Sequence, residues 1–320
     1  MIVPFNNEED NVAVLYSRLT QVMDQVGAPY ELVFVDDGSV DRTYKMLEEI
    51  AAVDSRVLVI KLRRNFGQTS ALAAGFDHCS GCFIVAMDGD LQHDPKDIPA
   101  FLEALNKGYD VVSGWREKRL DSFLLRRIPS SCANWLMAKI SGIPIHDFGT
   151  TFKAYRSGVI QSIPLYGEMH RFIPALASWY GASICEIPIK NVIRERGKSH
   201  YGIGRTFRVV FDLLTVKFLL KYMSRPLHFF GWFGMLSMVS GGTLATVFLA
   251  MKLLNPNLAV MERHAPLFVI AAVLIVAGVQ LFAIGLVGEL LVRHHYTNRH
   301  PAPYAVERIF RIQPHDDRES

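Results

Sequence analysis

Cysteine is scarce, with four in 320 residues. Cys79 and Cys82 form a CxxC, but no second CxxC and no nearby His pair completes a zinc set. The pair closes a helix-like run, TSALAAGFDH, and precedes a strand, the reverse of a thioredoxin-type site. Two partly buried thiols in a turn are expected, without redox chemistry. Excess charge of one sign is also missing. Lys and Arg total 34 and Asp and Glu 31, for a net charge of +3. No basic stripe is interleaved with aromatics, so nucleic acid is not an expected partner. Neither GxxxxGK[ST] nor GxGxxG occurs, which removes a P-loop and a dinucleotide fingerprint. The opening MIVPF has no charged n-region and apolar h-region, so no cleavable signal peptide is expected.

What is present is apolar sequence in two forms. Half of the residues are hydrophobic, and up to about residue 200 they come in short β-branched runs. These are ELVFVDD (31–37), RVLVIKL (56–62), CFIVAMD (82–88) and YDVVSGW (109–115), with IVP as the end of a shorter first strand. Amphipathic stretches such as NVAVLYSRLTQVMDQV and RTYKMLEEIAAV separate them. That alternation predicts an α/β fold with buried, mostly parallel strands. Ser39 or Asp41 is expected to cap the helix carrying Met46. Asp94 and Pro95 are read as N-cap and N1 of a helix over Lys96–Asn106.

Later the runs lengthen. Phe229–Met251 and Ala265–Gly288 contain no charged residue, and each exceeds the ~20 residues needed to cross a bilayer. Lys252 to His264 joins them as a hairpin. Arg205–Met223 reads as a helix in the membrane interface. Lys217, Lys221, Arg225, Arg293 and Arg299 flank the outer ends, against Lys252, Arg263 and Glu262 in the connection. This bias places both chain ends on the cytoplasmic side, with Trp232 and Tyr296 at interfacial depth. Gly241 and Gly242 pack either against a neighbouring helix, which allows a homo-oligomer, or within the hairpin. The expected organisation is a cytoplasmic domain over 1–200, an interfacial helix over 201–226, a hairpin over 227–292 and a cytoplasmic tail over 293–320.

Polar clusters follow each strand: PFNNEE, DDGS, RRNFGQ, DGDLQ and GWREKR. Ligands of open α/β sheets bind beyond the carboxyl ends of the strands. Carboxylates on three such ends and arginines on two suit a metal-bound polyphosphate. Within AMDGDLQHDP, an EF-hand loop starting at Asp88 fails, because loop positions 6 and 12 hold His93 and Pro99. Asp88 and Asp90 instead suit Mg²⁺ or Mn²⁺ whose shell phosphates complete. Asp36 and Asp37 suit base or ribose contacts. Asp147 either orients a substrate or caps the turn before TTFKAY.

The motifs VPFNNEE, VFVDDGSVDRT, NFGQTSALAAGF, MDGDLQHDP, GYDVVSGWR, DFGTTFKAYR, EMHRFIPALA, EIPI..VIRERGKSHYG and GLVGELLVR cover nearly the whole chain. In this order they resemble the family-two glycosyltransferases of the polyprenyl-phosphate type. The resemblance implies a GT-A-type domain that transfers a sugar from a nucleotide sugar to a polyprenyl phosphate. It places Pro4, Asn6, Glu8, Asp36, Asp37, Asp88, Arg194 and Ser199 at the nucleotide. Asp88, Asp90 and Gln92 fall at the metal and diphosphate, with Asp90 nearest the reacting centre. Arg116 lies near the phosphates, and Arg126 or Arg127 is matched to the acceptor phosphate. Where the family has Lys after Ser199, this chain has His200, a titratable group in the same phosphate-binding position. The family's Asp-Ala-Asp is Asp88-Gly89-Asp90 here, and Thr150 replaces a Cys or Ser. The bacterial branch is nearest, which favours a UDP-sugar, undecaprenyl phosphate and the inner membrane. GDP-mannose, another membrane lipid as acceptor, and a non-catalytic nucleotide-sugar-binding protein stand as alternatives. The QxxRW signature of processive synthases precedes none of Trp115, Trp135, Trp179 or Trp232.

Overall fold

The computed structural model describes residues 1–116, 134, 137–139, 141–165, 167, 169–190, 226–254, 265–297 and 302–312. By contacts the chain divides into two compact units, Met1–Leu214 with Pro301–Ser320, and Thr215–His300.

The first unit is built on an eight-stranded sheet. Its strands are β1 (Ile2–Phe5), β2 (Leu32–Asp36), β3 (Val57–Leu62), β4 (Phe83–Ala86), β5 (Val111–Arg116), β6 (Lys153–Arg156), β7 (Ile184–Ile189) and β8 (Val306–Phe310). The spatial order is β7-β5-β6-β4-β1-β2-β3-β8. β1 pairs in parallel with β2 and β4, β2 with β3, and β5 with β7. β6 runs antiparallel between β4 and β5, and β8 runs antiparallel along β3. Six strands therefore point the same way, and their carboxyl ends line one edge, as the alternating pattern predicts.

The central strands read as unbroken apolar runs because both faces are covered. β2 is buried at all five positions. Helix α1 (Glu9–Val26) contributes Val12, Leu15, Leu19, Val22 and Met23, one face at helical spacing. It stops at Gly27, which takes the left-handed conformation of a C-cap. The other complete helices among the described residues of this unit are α2 (Thr43–Ala51), α3 (Gln68–His78), α4 (Ile98–Asn106), α5 (Ser157–Ile160) and α6 (Ile173–Trp179). Asp94 accepts from the Lys96 amide at 3.0 Å and starts a 3₁₀ turn over Pro95–Asp97 that leads into α4. The capping expectation for Ser39 does not hold. Its hydroxyl accepts from the Asn7 amide instead, while Asp41 accepts from the Thr43 amide.

Part of the range 293–320 is regular structure. Residues up to Thr297 continue the last helix, and Val306–Phe310 is an edge strand. It is fastened by Lys61 to Glu307 at 3.0 Å and by the Tyr304 hydroxyl, which donates to Asp77 at 2.7 Å. At five residues, VERIF is too short and too exposed to stand out in sequence, and its pairing with β3 defines it as a strand.

The second unit contains α7 (Pro226–Leu254) and α8 (Ala265–Thr297). Leu227–Leu254 and Pro266–Leu291 are long and apolar enough to cross a membrane. The two helices approach closely through glycine. A Cβ at Gly278 would lie 2.7 Å from the Gly234 carbonyl oxygen, and one at Gly241 2.8 Å from that of Ala271. The Ser237 hydroxyl donates to the Leu274 carbonyl at 2.7 Å. Gly241 thus packs within the hairpin, whereas Gly242 meets nothing. The interfacial helix over 201–226 lies outside the described residues, apart from Pro226.

Candidate active site

The loops after β1 and β2 are zipped together. Asn6 Nδ2 donates to the Asp37 carbonyl at 2.7 Å, the Val40 amide donates to Asn7 Oδ1 at 2.9 Å, and the Glu8 amide donates to Thr43 Oγ1 at 2.9 Å. Gly38 is required twice over at this junction. Its φ of +67° disfavours a side chain, and a Cβ would lie 2.3 Å from the Arg64 backbone. The Asp37 carboxylate accepts from the Phe66 and Gly67 amides at 2.7 and 2.9 Å, which fixes the turn before α3. Burial raises the Asp37 pKa against the pull of those two amides. Asp36 is fully buried and is likewise raised by desolvation. Its Oδ1 receives the Ser39 amide at 3.4 Å, while Oδ2 has no partner. Both carboxylates are buried: Asp36 keeps one oxygen without a hydrogen-bond partner among the described residues, and Asp37 is bonded to the turn before α3.

After β4 the chain turns through Leu91, whose φ of +59° is strained for a branched residue. Asp88 accepts from Gln68 Nε2, which also reaches Thr151 Oγ1 at 3.0 Å. Burial raises the Asp88 pKa, opposed by Thr151 and the positive field of Arg116 and Lys153. The Gln92 amide donates to Asp90 Oδ1 at 3.2 Å. Gly89 has a local cause: a Cβ there would fall 2.6 Å from the buried Phe5 ring. An alanine would force that ring to move.

Arg116 ends β5, and Asp147 precedes β6. Arg116 Nε and Nη2 donate to the two Asp147 oxygens at 2.7 and 3.1 Å, a planar fork. Asp147 is 2% exposed. The loop carrying it is held from β7, where Glu186 accepts from the His146 and Asp147 amides, both at 3.0 Å. Trp115 stacks on His146 at 4.5 Å.

Between these groups, Lys153 opens β6 with no exposure and donates to the Phe148 and Thr150 carbonyls. Desolvation lowers its pKa to about 8, against the raising influence of Asp147 and Asp88. His93 is also buried, and desolvation lowers it to about 4, which keeps it neutral. It lies against Phe152, with Nε2 3.5 Å from Thr150 Oγ1.

The fold thus brings Pro4, Asn6, Glu8, Asp36, Asp37, Asp88, Asp90, Gln92, Arg116 and Asp147 to the carboxyl edge of one sheet. Arg126, Arg127, Arg194, Ser199 and His200 lie outside the described residues. The sequence reading missed Gln68, His93, Lys153 and Glu186. Gln68 had a signal in the polar cluster after β3. Lys153 had none, because a lysine inside an apolar strand reads as a surface residue. Among the described residues, no three His, Cys, Asp or Glu side chains converge as a metal cage. Two carboxylates on one turn, one raised by burial, instead fit a divalent cation whose remaining ligands come from a bound diphosphate.

Residues 1–163 match the family model for glycosyl transferase family 2. The dodecaprenyl-phosphate galacturonate synthase of Rhizobium johnstonii is 39% identical over 317 residues, 97% of this chain and 92% of that protein. The undecaprenyl-phosphate 4-deoxy-4-formamido-L-arabinose transferase of Edwardsiella ictaluri is 36% identical over 322 residues, 100% of this chain and 96% of that protein. Among solved structures, glucosyl-3-phosphoglycerate synthase from Mycobacterium tuberculosis, in complex with Mn²⁺ and UDP-glucose, superposes with a TM-score of 0.52. It is 20% identical and covers 68% of this chain and 77% of that one. That likeness establishes the GT-A-like sheet and no more. The family model spans the strands that build the polar edge, and the similarity to whole relatives continues through the apolar helices: the chain belongs to glycosyl transferase family 2.

Proposed function

We propose that this enzyme transfers a sugar from a nucleotide sugar, a UDP-sugar by preference, to the phosphate of a membrane polyprenyl phosphate, with inversion at the anomeric carbon. The observation that carries the reading is the spacing of charge along the carboxyl edge. Asp88 and Asp90 follow β4, and Arg116 ends β5, with β6 between them. Two strand spacings are about 10 Å, room for a diphosphate on one side and an acceptor phosphate on the other.

The chemistry needs little acid–base help. A phosphate monoester has a second pKa near ~6, so the acceptor is mostly dianionic at neutral pH and is already a nucleophile. What remains is to hold two anions together and stabilise the leaving nucleoside diphosphate. Asp36, with a buried oxygen that has no partner among the described residues, is assigned to the base or ribose. Arg116 meets the phosphates as a fork already oriented by Asp147, so Asp147 works through Arg116 rather than on the sugar. Lys153 adds buried positive potential beneath the crevice. Asp88, Asp90 and Gln92 would hold a divalent cation, Mg²⁺ or Mn²⁺, which supplies Lewis-acid neutralisation of the leaving group when bound.

The apolar helices give the lipid acceptor a place. As a transmembrane hairpin they keep the polyprenyl chain in lipid while its phosphate stays at headgroup level. β7 precedes the hairpin and β8 follows it, and both belong to one sheet. The two candidate spans among the described residues between β7 and β8 support a reading in which both flanks lie on one membrane face. The basic residues at 217, 221, 225, 293 and 299 favour the cytoplasmic one.

The test uses the full chain in membranes with undecaprenyl phosphate and Mg²⁺ or Mn²⁺. The donors are UDP-galacturonic acid, UDP-4-deoxy-4-formamido-L-arabinose, UDP-glucose and GDP-mannose. A polyprenyl-linked sugar from one UDP donor is expected. Product only with GDP-mannose corrects the nucleotide, and product only on diacylglycerol overturns the acceptor.

A further inference from the structure

Glu186 lies on β7, and no motif assigned it a task. Its carboxylate is engaged from three directions. The His146 amide donates to its two oxygens at 3.0 and 3.1 Å, the Asp147 amide donates at 3.0 Å, and His146 Nδ1 lies 2.8 Å away. Its side chain is only 11% exposed. Two successive peptide N–H groups on one carboxylate fix the backbone from which the Asp147 side chain leaves. Asp147 is pinned again by the Gly149 amide at 3.1 Å, and it holds Arg116 at 2.7 and 3.1 Å. β5 and β7 are in parallel register, with Ser113 opposite Glu186 and Arg116 opposite Ile189. The strand that carries the arginine and the strand that anchors its carboxylate partner are therefore neighbours. The Trp115–His146 stack braces the same loop from the arginine's own strand.

We infer that Glu186 is a positioning residue for sugar transfer, acting on Arg116 through the His146–Asp147 backbone and the Asp147 carboxylate. The inference rests on the proposed reading, in which Arg116 faces the phosphates. Its physical basis is preorganisation. An arginine side chain is long and rotamer-rich, and its planar fork is useful only in the right plane. Orienting it before substrate arrives removes reorganisation from the reacting step. Asp147 can do so only if its own backbone is fixed, and the described loop reaches β7 through Glu186. A glutamine keeps the shape of Glu186 but turns one acceptor oxygen into a donor that faces an amide N–H.

The test is a double-mutant cycle with an exchange measurement alongside, on the full chain in membranes or nanodiscs. Glu186→Gln is expected to lower kcat about 10- to 100-fold, with KM for the UDP-sugar changed less than about threefold. In an Arg116→Lys background, which lacks the fork, the same substitution is expected to change kcat little, because residues acting in series are non-additive. Hydrogen exchange of a peptide covering 145–150 is expected to quicken in Glu186→Gln and to stay unchanged in Arg116→Lys. An equal kcat loss in both backgrounds, or unchanged exchange in Glu186→Gln, overturns the inference. If wild-type protein makes no lipid-linked sugar with any donor, the functional reading fails instead, and the exchange arm alone decides whether Glu186 holds the loop.

Discussion

Val53 and Val276 are both exposed, at 83% and 55%. Val53 follows α2 on the sheet unit, where most large apolar side chains are buried. Val276 sits on α8 among Val273, Val279 and Phe282, all exposed as well. The reverse holds for polar groups. The sheet unit buries Asp36, Asp37, Asp147 and Lys153. The two units thus distribute polarity in opposite senses. An isolated exposed valine is ordinary in water, whereas a helix apolar all round is suited to burial in protein or in a membrane. Buried charges in the sheet unit are costly unless paired, so their concentration at one edge marks the place where function outweighs stability.

The sharpest way to test that contrast is at the site. Asp90→Asn should cut turnover by about 10²- to 10³-fold, while membrane insertion and thermal stability stay at wild-type values. A variant that keeps full activity would remove Asp90 from the chemistry.

Next in size is a paired substitution outside it. Val276→Arg should disfavour insertion by about 2.5–3.5 kcal/mol, read as loss from the membrane fraction. Val53→Arg should change stability by less than about 0.5 kcal/mol, read by thermal unfolding. Equal effects at the two valines would erase the distinction between the units.

Lys153 gives a pH signature. Its folded pKa, about 8, lies below the ordinary lysine value of 10.5. Between those values the unfolded chain holds a proton that the folded protein has released, so stability rises with pH through this window. The contribution is at most about 3 kcal/mol. Its cost is fully present below pH 8. Lys153→Met should remove that rise, seen as a flatter dependence of the unfolding midpoint between pH 8 and 10.

Gly278→Ala should cost about 1–3 kcal/mol by forcing the helices apart, while Gly242→Ala, with open space, should be neutral or slightly stabilising. The smallest effect belongs to the edge strand. Glu307→Gln should cost no more than about 1 kcal/mol, as expected for a largely exposed ion pair.

Much of this molecule was legible before its structure. The strands at 32–36, 57–62 and 83–86 lie inside the segments read from composition, β5 passes its segment by one residue, and Asp94 starts its helical turn as read. The carboxyl-edge placement of DDGS, DGDLQ and GWR follows from strand direction alone. What was not legible depends on partners distant in sequence. β6 inserts between β4 and β5, so Asp147 and Lys153 arrive at the site from a strand that the alternating pattern did not announce. The bonds from the Asp37 carboxylate to the amides of Phe66 and Gly67, about thirty residues away, could not be read from its own neighbourhood. Of Ser39 and Asp41, either of which was read as the cap, Asp41 bonds the Thr43 amide and Ser39 is taken by Asn7.

The sequence by itself pointed to five of the eight described strands, to two helices long and apolar enough to cross a membrane, and to the residue types that end those strands. These are properties of local periodicity, run length and turn chemistry, and they act within about twenty residues. Tertiary structure alone decided the order of strands, the return of β8 to the edge of β3, and the chain from Glu186 through Asp147 to Arg116. Strand pairing and carboxylate–amide bonds are made between distant segments. Nothing in the local sequence of one partner specifies the identity of the other.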